Sequence, residues 1–236
     1  MKKTAVVGVI ALLGSAAQAQ GYLGASVGRG KLSVDCAASE ACSDRVSIFK
    51  IYAGTRIHEG ARIDIGVEAA YLRTVNEIQR RSTTLRQGLV AVENEFTGEF
   101  ETTPAVGSVP FRQSLSLDAI VIAPVFTFKV TPRFSVFAKP GVGLVTATLK
   151  NSVEDVVNAG VADFRYSRGG TERSDSEFQL QPYVSLGADF AVLPTLKIVG
   201  SFDYLGYKSK GENATREVKK ERGSLRNLNV GAQYLF

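Results

Sequence analysis

The chain is 236 residues long, with 28 basic side chains against 23 acidic ones, 23 glycines, two cysteines and no tryptophan. With Lys2 and Lys3 set aside as part of a leader, 26 basic residues remain against 23 acids, and a net charge of +3 gives no reason to expect nucleic acid as a partner. Beyond the leader no segment approaches the roughly 20 consecutive apolar residues of a membrane-spanning helix, so a membrane can be crossed only by strands.

The leader occupies residues 1–19. Lys2 and Lys3 form its positive region, Ala5 to Leu13 its apolar stretch, and Ala17-Gln18-Ala19 a small-x-small cleavage site. The apolar stretch is too short to span a bilayer. These features predict a secretory signal peptide, with residues 20–236 as the exported domain. Residue 20 is Gln rather than Cys, so no lipid anchor is expected.

Eight strands follow, each read from side chains that alternate between two faces. The first, about 21–34, sets Leu23, Ala25 and Val27 against Gly24, Ser26 and Gly28. The second, about 46–57, sets Phe49, Ile51, Ala53, Thr55 and Ile57 against Lys50, Tyr52, Gly54 and Arg56. After a tight turn at His58-Glu59-Gly60, the third, about 61–77, opposes Ile63, Ile65, Val67, Ala69 and Tyr71 to Asp64, Gly66 and Glu68. In the fourth, about 112–130, Leu115, Leu117, Ala119, Val121, Ala123 and Val125 form the apolar face, opposite Ser114, Ser116 and Asp118.

Thr131-Pro132 turns the chain into the fifth strand, about 133–150, where Phe134, Val136, Ala138, Val142 and Leu144 oppose Ser135, Lys139, Gly141 and Gly143. The sixth, about 177–193, alternates Phe178, Leu180, Val184, Leu186, Ala188, Phe190 and Val192 with Gln179, Gln181, Tyr183, Ser185, Gly187 and Asp189. Pro194-Thr195 leads to the seventh, about 196–210, with Ile198, Phe202 and Tyr204 opposite Lys197, Ser201 and Asp203. In the last, Leu228, Val230, Ala232, Tyr234 and Phe236 alternate with Asn227, Asn229, Gly231 and Gln233. Pro124, Pro140 and Pro182 fall inside strands, where a ladder loses a donor, so local distortions are expected there.

Short turns alternate with long polar connections at about 35–45, 78–111, 151–176 and 211–223. Outer-membrane barrels have this asymmetry, with short periplasmic turns and long external loops. An even strand count returns the C-terminus to the side where residue 20 began. Facing residues of a hairpin share a face. A three-residue turn between the second and third strands then puts Arg56 or Gly54 opposite Asp64, and Lys50 or Tyr52 opposite Glu68. The faces of the fourth and fifth strands call for a two-residue turn at Thr131-Pro132.

Alternation alone does not say which face is buried. The polar face is rich in Gly, Ser and Asn, and its charges come in both signs. In a narrow eight-stranded barrel such side chains fill the interior, where unpaired charge is costly. The expected interior network is Lys50, Arg56, Asp64, Glu68, Lys139, Asp189 and Asp203; Lys197 and Asp118, near strand ends, are each read as either interior or solvated. Tyr71, Phe134, Phe190, Tyr204, Tyr234 and Phe236 sit near strand ends as candidate interfacial girdles.

Cys36 and Cys42 lie close together in an exported chain, and an oxidising compartment favours a structural disulfide between them. Two cysteines without a nearby histidine make a poor zinc site. No metal cluster and no phosphate-cradling loop is read from the sequence, and no cofactor is expected.

The leader, the eight alternating strands and the terminal Val230-Gly231-Ala232-Gln233-Tyr234-Leu235-Phe236 resemble the eight-stranded outer-membrane β-barrel family, which includes the membrane domain of outer membrane protein A, OmpX and the opacity proteins. The segments Gly21-Tyr22-Leu23-Gly24-Ala25-Ser26-Val27-Gly28 and Gly66-Val67-Glu68-Ala69-Ala70-Tyr71 are similar to family strands. The resemblance implies an all-β, antiparallel, up-and-down transmembrane barrel in the cell outer membrane. It also implies insertion by the barrel-assembly machinery through the terminal aromatic Phe236, and an interior closed by ion pairs.

The expected role is structural or cell-surface interaction through external loops that meet outer-membrane lipids, lipopolysaccharide or a host or cell-surface ligand. Arg80, Arg81 and Arg86, and Arg165, Arg168 and Arg173, are the loop cations suited to lipid phosphates. A narrow channel is the alternative. A lipid A-modifying enzyme is disfavoured because the sole histidine, His58, sits in a predicted periplasmic turn, so no catalytic residue is assigned. A soluble lipocalin-like binder has the opposite facing and is separated by fractionation.

Overall fold

The computed structural model describes residues 20–33, 41–42, 44–76, 78–93, 100–153, 157–158, 173–212 and 218–236. Eleven strands are present in the described residues: β1 (Gly21–Leu32), β2 (Ala41–Cys42), β3 (Arg45–Glu59), β4 (Ile63–Thr74), β5 (Ile78–Glu93), β6 (Phe100–Lys129), β7 (Phe134–Val153), β8 (Val157–Asn158), β9 (Arg173–Leu193), β10 (Leu196–Glu212) and β11 (Val218–Leu235). Eight of them, β1, β3, β4, β6, β7, β9, β10 and β11, form a ring of antiparallel neighbours. The ring closes where Val27 of β1 faces Val230 of β11. Closure leaves no sheet edge, the condition for strands to cross hydrocarbon.

The start of β1 and the end of β11 share the end that carries the short turns, where the Phe236 amide donates to the Gly21 carbonyl at 3.0 Å. This is called the turn end and its opposite the loop end. At the loop end the strands run past the expected boundaries. The predicted 78–111 connection is largely a hairpin of β5 and the first part of β6, paired from Ile78 with Leu115 to Glu93 with Phe100. The two-residue strands β2 and β8 pair with β5 and β6 there.

Alternation places the faces correctly in seven of the eight ring strands. In β9, Gln181, Tyr183, Ser185 and Asp189 are buried inside while Phe178, Leu180, Leu186 and Phe190 are exposed outside. The exception is β6. Leu115, Leu117, Ala119, Val121, Ala123 and Val125 point into the barrel, whereas Ile120, Ile122 and Phe128 face outward. The turn explains the reversal. Lys129 faces Ser135, and the Val130 amide donates to the Phe134 carbonyl, so the chain reverses through three residues, Thr131–Arg133, rather than two. A slip of one residue exchanges the faces of an entire strand.

The three interior-strand prolines leave the barrel closed. Ile122 faces Val142 and Phe126 faces Ala138, which sets Pro124 opposite Pro140 where neither can donate. Pro182 lies one residue beyond Tyr183–Leu205, the last pair of the β9–β10 ladder. All three are exposed on the outer wall. A bulge does occur elsewhere, between Arg56 and His58 on β3.

Glycines on the inner face make room for rings from the next strand. Tyr22 is the cross-strand partner of Gly54 and Tyr52 that of Gly24, and a Cβ on either glycine would collide with the facing ring. Phe137 with Gly187 and Tyr207 with Gly223 repeat the device.

Candidate functional site

The barrel interior has two layers. Nearest the turn end lies a lattice of buried charge. Lys50 on β3 donates to Asp203 on β10 and to the Tyr183 hydroxyl on β9, each at 2.9 Å. Asp203 also accepts from Ser185 at 2.6 Å and from Asn229 at 3.0 Å. Lys139 on β7 lies 2.6 Å from Glu68 on β4, which in turn accepts the Tyr22 hydroxyl at 3.1 Å. These carboxylates and ammoniums are at most 5% exposed, so each depends on its protein partners in place of water. The Tyr52 ring stands between the two ammoniums, 5.6 Å from Lys50 and 5.1 Å from Lys139, and presents its negative face to both.

Nearer the turn end, Lys197 meets Asp189 at 2.6 Å and Lys129 meets Asp64 at 2.7 Å. Four positive side chains thus meet four negative ones, leaving the described interior pairs neutral. A cavity of about 30 Å³ lies among Arg56, Asp64, Lys139, Asp189 and Lys197, large enough for a water molecule.

All seven residues expected in the interior network lie on the inner face, but their partners differ from expectation. Lys50 faces Leu72 along the ladder and Glu68 faces Gly54. The bonds of Lys50 and Lys139 instead cross the lumen to strands that are not their neighbours. Arg56 lies at the rim, bonded to Glu59 at 3.0 Å and to Gln20 at 2.9 Å, and not to Asp64. Lys129 goes unread in the sequence because it shares the odd-numbered face of β6, which alternation alone turns outward. Asp118 lies on the outer face, where it accepts the Tyr71 hydroxyl at 2.7 Å and lies 3.6 Å from Arg73.

The second layer fills the loop-end half and is apolar. Leu32, Ile48, Leu72, Leu117, Leu205 and Leu225 are each at most 1% exposed and belong to one cluster. The inward face of β6 supplies Leu115, Leu117 and Val121 to it, so the reversal of that strand is what hid this layer from the sequence. Side chains buried this deeply leave almost no surface to meet water. The Tyr207 hydroxyl closes the layer above by donating to the Ser33 carbonyl at 2.8 Å.

The outer wall inverts a soluble protein. Leu23, Val27, Ile122, Leu186, Phe202, Leu228 and Val230 are 43–68% exposed around the ring, far more apolar surface than a water-soluble monomer presents in one band. No helix among the described residues is long and apolar enough to cross a membrane. Cys36 lies outside the described residues. The β2 backbone aligns Cys42 with Arg80. No cluster of His, Cys, Asp and Glu suited to a metal occurs among the described residues.

Fold and facing together define a class: an eight-stranded antiparallel β-barrel with an apolar exterior and a filled interior. No protein-family model matches the sequence, and no curated protein matches it. Solved structures similar to it include Ail, the attachment invasion locus protein of Yersinia pestis, at 13% identity over 92% of this chain and 99% of that chain, with a TM-score of 0.48. Neisserial surface protein A is 15% identical over 92% of this chain and 97% of that chain, with a TM-score of 0.49. The outer membrane protease OmpT from Escherichia coli is 10% identical over 92% of this chain and 95% of that chain, with a TM-score of 0.40. At these identities no residue role carries over.

Proposed function

We propose that the chain is an integral outer-membrane β-barrel with a structural or cell-surface interaction role, its loop end facing outward and its lumen closed to solutes. The observation that carries this reading is the pairing of an apolar outer wall with an inner wall of neutralised charge. Residues 1–19 act as the export signal, and Phe236, exposed on the outer wall, serves as the terminal aromatic for the barrel-assembly machinery. The loops and the β5–β6 hairpin form the surface that meets lipopolysaccharide or a host ligand.

The filled interior argues against the narrow channel. An ion on the barrel axis would have to displace the Lys50–Asp203 and Lys139–Glu68 pairs and then cross a layer of buried leucines. For a lipid-modifying enzyme the usual base is lacking, since His58 lies beside the turn at Gly60.

The test is cell fractionation with gel mobility before and after heating, combined with protease added to intact cells. Recovery in outer-membrane fractions, a faster-running unheated form and cleavage confined to the loops are expected. A soluble periplasmic protein would end the proposal.

A further inference from the structure

Three cations on three neighbouring strands occupy one row of the outer wall. Lys31 of β1 faces Arg226 of β11 on one side and Arg45 of β3 on the other. All three are exposed. Arg29, two residues nearer the turn end on β1, is exposed on the same face. Two rows beyond Arg226, Lys208 of β10 faces Arg222 of β11, again with both side chains exposed.

Like charges placed directly opposite across a ladder repel. Among the described residues, the acid bonded to this group is Asp44, 3.1 Å from Lys31. Six cations therefore share one described carboxylate. Elsewhere on the wall the balance is different, as Arg73 of β4 lies 3.6 Å from Asp118 of β6.

The height of the row says what it meets. On the turn-end side the same three strands present a mixed row of Leu228, Arg29 and Ser47, then wholly apolar rows of Val230, Val27 and Phe49, of Ala232, Ala25 and Ile51, and of Tyr234, Leu23 and Ala53. At about 3.3 Å per residue and a tilt of about 40°, β11 rises about 15 Å along the membrane normal from Tyr234 to Leu228 and about 20 Å to Arg226, which sets the cations toward the upper edge of the roughly 25 Å band of such barrels. The cations stand at the loop-end edge of that band and point sideways. Tyr204, the cross-strand partner of Arg226, adds an aromatic ring at the same level. Side chains in this position address lipid headgroups.

We propose that the row Arg226–Lys31–Arg45, extended by Arg29, Arg222 and Lys208, docks the phosphorylated sugar head of lipid A in the outer leaflet. The inference rests on the outer-membrane reading above and places the lipid contact on the barrel wall, apart from the loop cations. Guanidinium forks match phosphate oxygens in pairs. A group with this much excess charge is better neutralised by a head bearing more than one phosphate than by a phospholipid bearing one.

The experiment inserts the wild-type barrel, the Lys31→Ser/Arg45→Ser/Arg226→Ser variant and an Arg133→Ser control in phosphatidylcholine nanodiscs, then titrates each with bisphosphorylated and monophosphorylated lipid A. Arg133 is exposed in a turn at the opposite end. The triple variant is expected to bind the bisphosphorylated lipid about tenfold more weakly or worse. The control is expected to match wild type, and wild type to bind the monophosphorylated lipid less tightly. Equal binding by wild type and triple variant overturns the proposal. Heat-modifiable mobility verifies folding of each sample. If the triple variant does not fold, Arg226→Ser compared with Arg226→Lys decides the matter, with weaker binding by Ser expected and no difference overturning it. A wild-type protein that never enters the bilayer sinks the membrane reading instead.

Discussion

Tyr22 lies over Gly54, its partner across the β1–β3 ladder, and from there its hydroxyl reaches Glu68 at 3.1 Å. The glycine thus provides the space through which a tyrosine joins the Lys139–Glu68 pair. Gly54→Ala would drive a methyl into the Tyr22 ring and is expected to destabilise the barrel by about 1–3 kcal/mol. Urea unfolding in detergent measures it. Because the two side chains compete for one space, Tyr22→Ala combined with Gly54→Ala should cost less than the two separate losses.

Lys50 and Asp203 form a lumen-crossing pair that is at most 3% exposed. Lys50→Met leaves a buried carboxylate without its ammonium and is expected to cost about 3–5 kcal/mol. Asp203→Asn strands the lysine but keeps an acceptor for Ser185. The double variant should be less damaged than the two single losses added together, and a cycle of unfolding measurements gives the coupling. Strict additivity would mean that the pair contributes nothing to stability.

If the apolar layer seals the lumen, removing charge below it does not open a path. Glu68→Met combined with Lys139→Met, which replaces both members of one pair, is expected to leave planar-bilayer recordings as quiet as the wild type. A steady conductance in that variant would show that the ion pairs alone had blocked the passage. Leu72→Ala with Leu205→Ala should destabilise by about 2–5 kcal/mol per site, yet remain non-conducting, since an apolar cavity of this kind stays dry.

The facing of β6 is open to direct chemical test. In a background with Cys36 and Cys42 replaced by serine, Ile122→Cys should react with a bilayer-soluble maleimide and Val121→Cys should not. In the structure Ile122 is 57% exposed and Val121 2%. The opposite pattern would restore the facing expected from alternation alone.

That strand marks the boundary of what the sequence makes legible. Where one face is polar, as Gln181, Tyr183, Ser185 and Asp189 are in β9, alternation is unambiguous and the interior residues follow. In β6 both sets are apolar between Ala119 and Phe126, and the choice falls to the turn, which is three residues long where the sequence suggests two. The interior charges are legible for the same reason as β9. Their partners are not, because Lys50 with Asp203 and Lys139 with Glu68 join strands brought together by closure of the ring rather than by adjacency. The basic row was invisible one strand at a time, since Arg226, Lys31 and Arg45 meet only through two registers.

The division of the interior into a charged lower half and a leucine-rich upper half gives the barrel a handedness toward its surroundings. With the loop end outward, as proposed above, ions, protons and denaturants outside the cell would confront an oily stopper. Those on the inner side can seep in past Arg56 and Lys197 to the small cavity beside Lys139. In that orientation the barrel would be tuned by the chemistry on its turn-end side and remain deaf to that on its loop-end side.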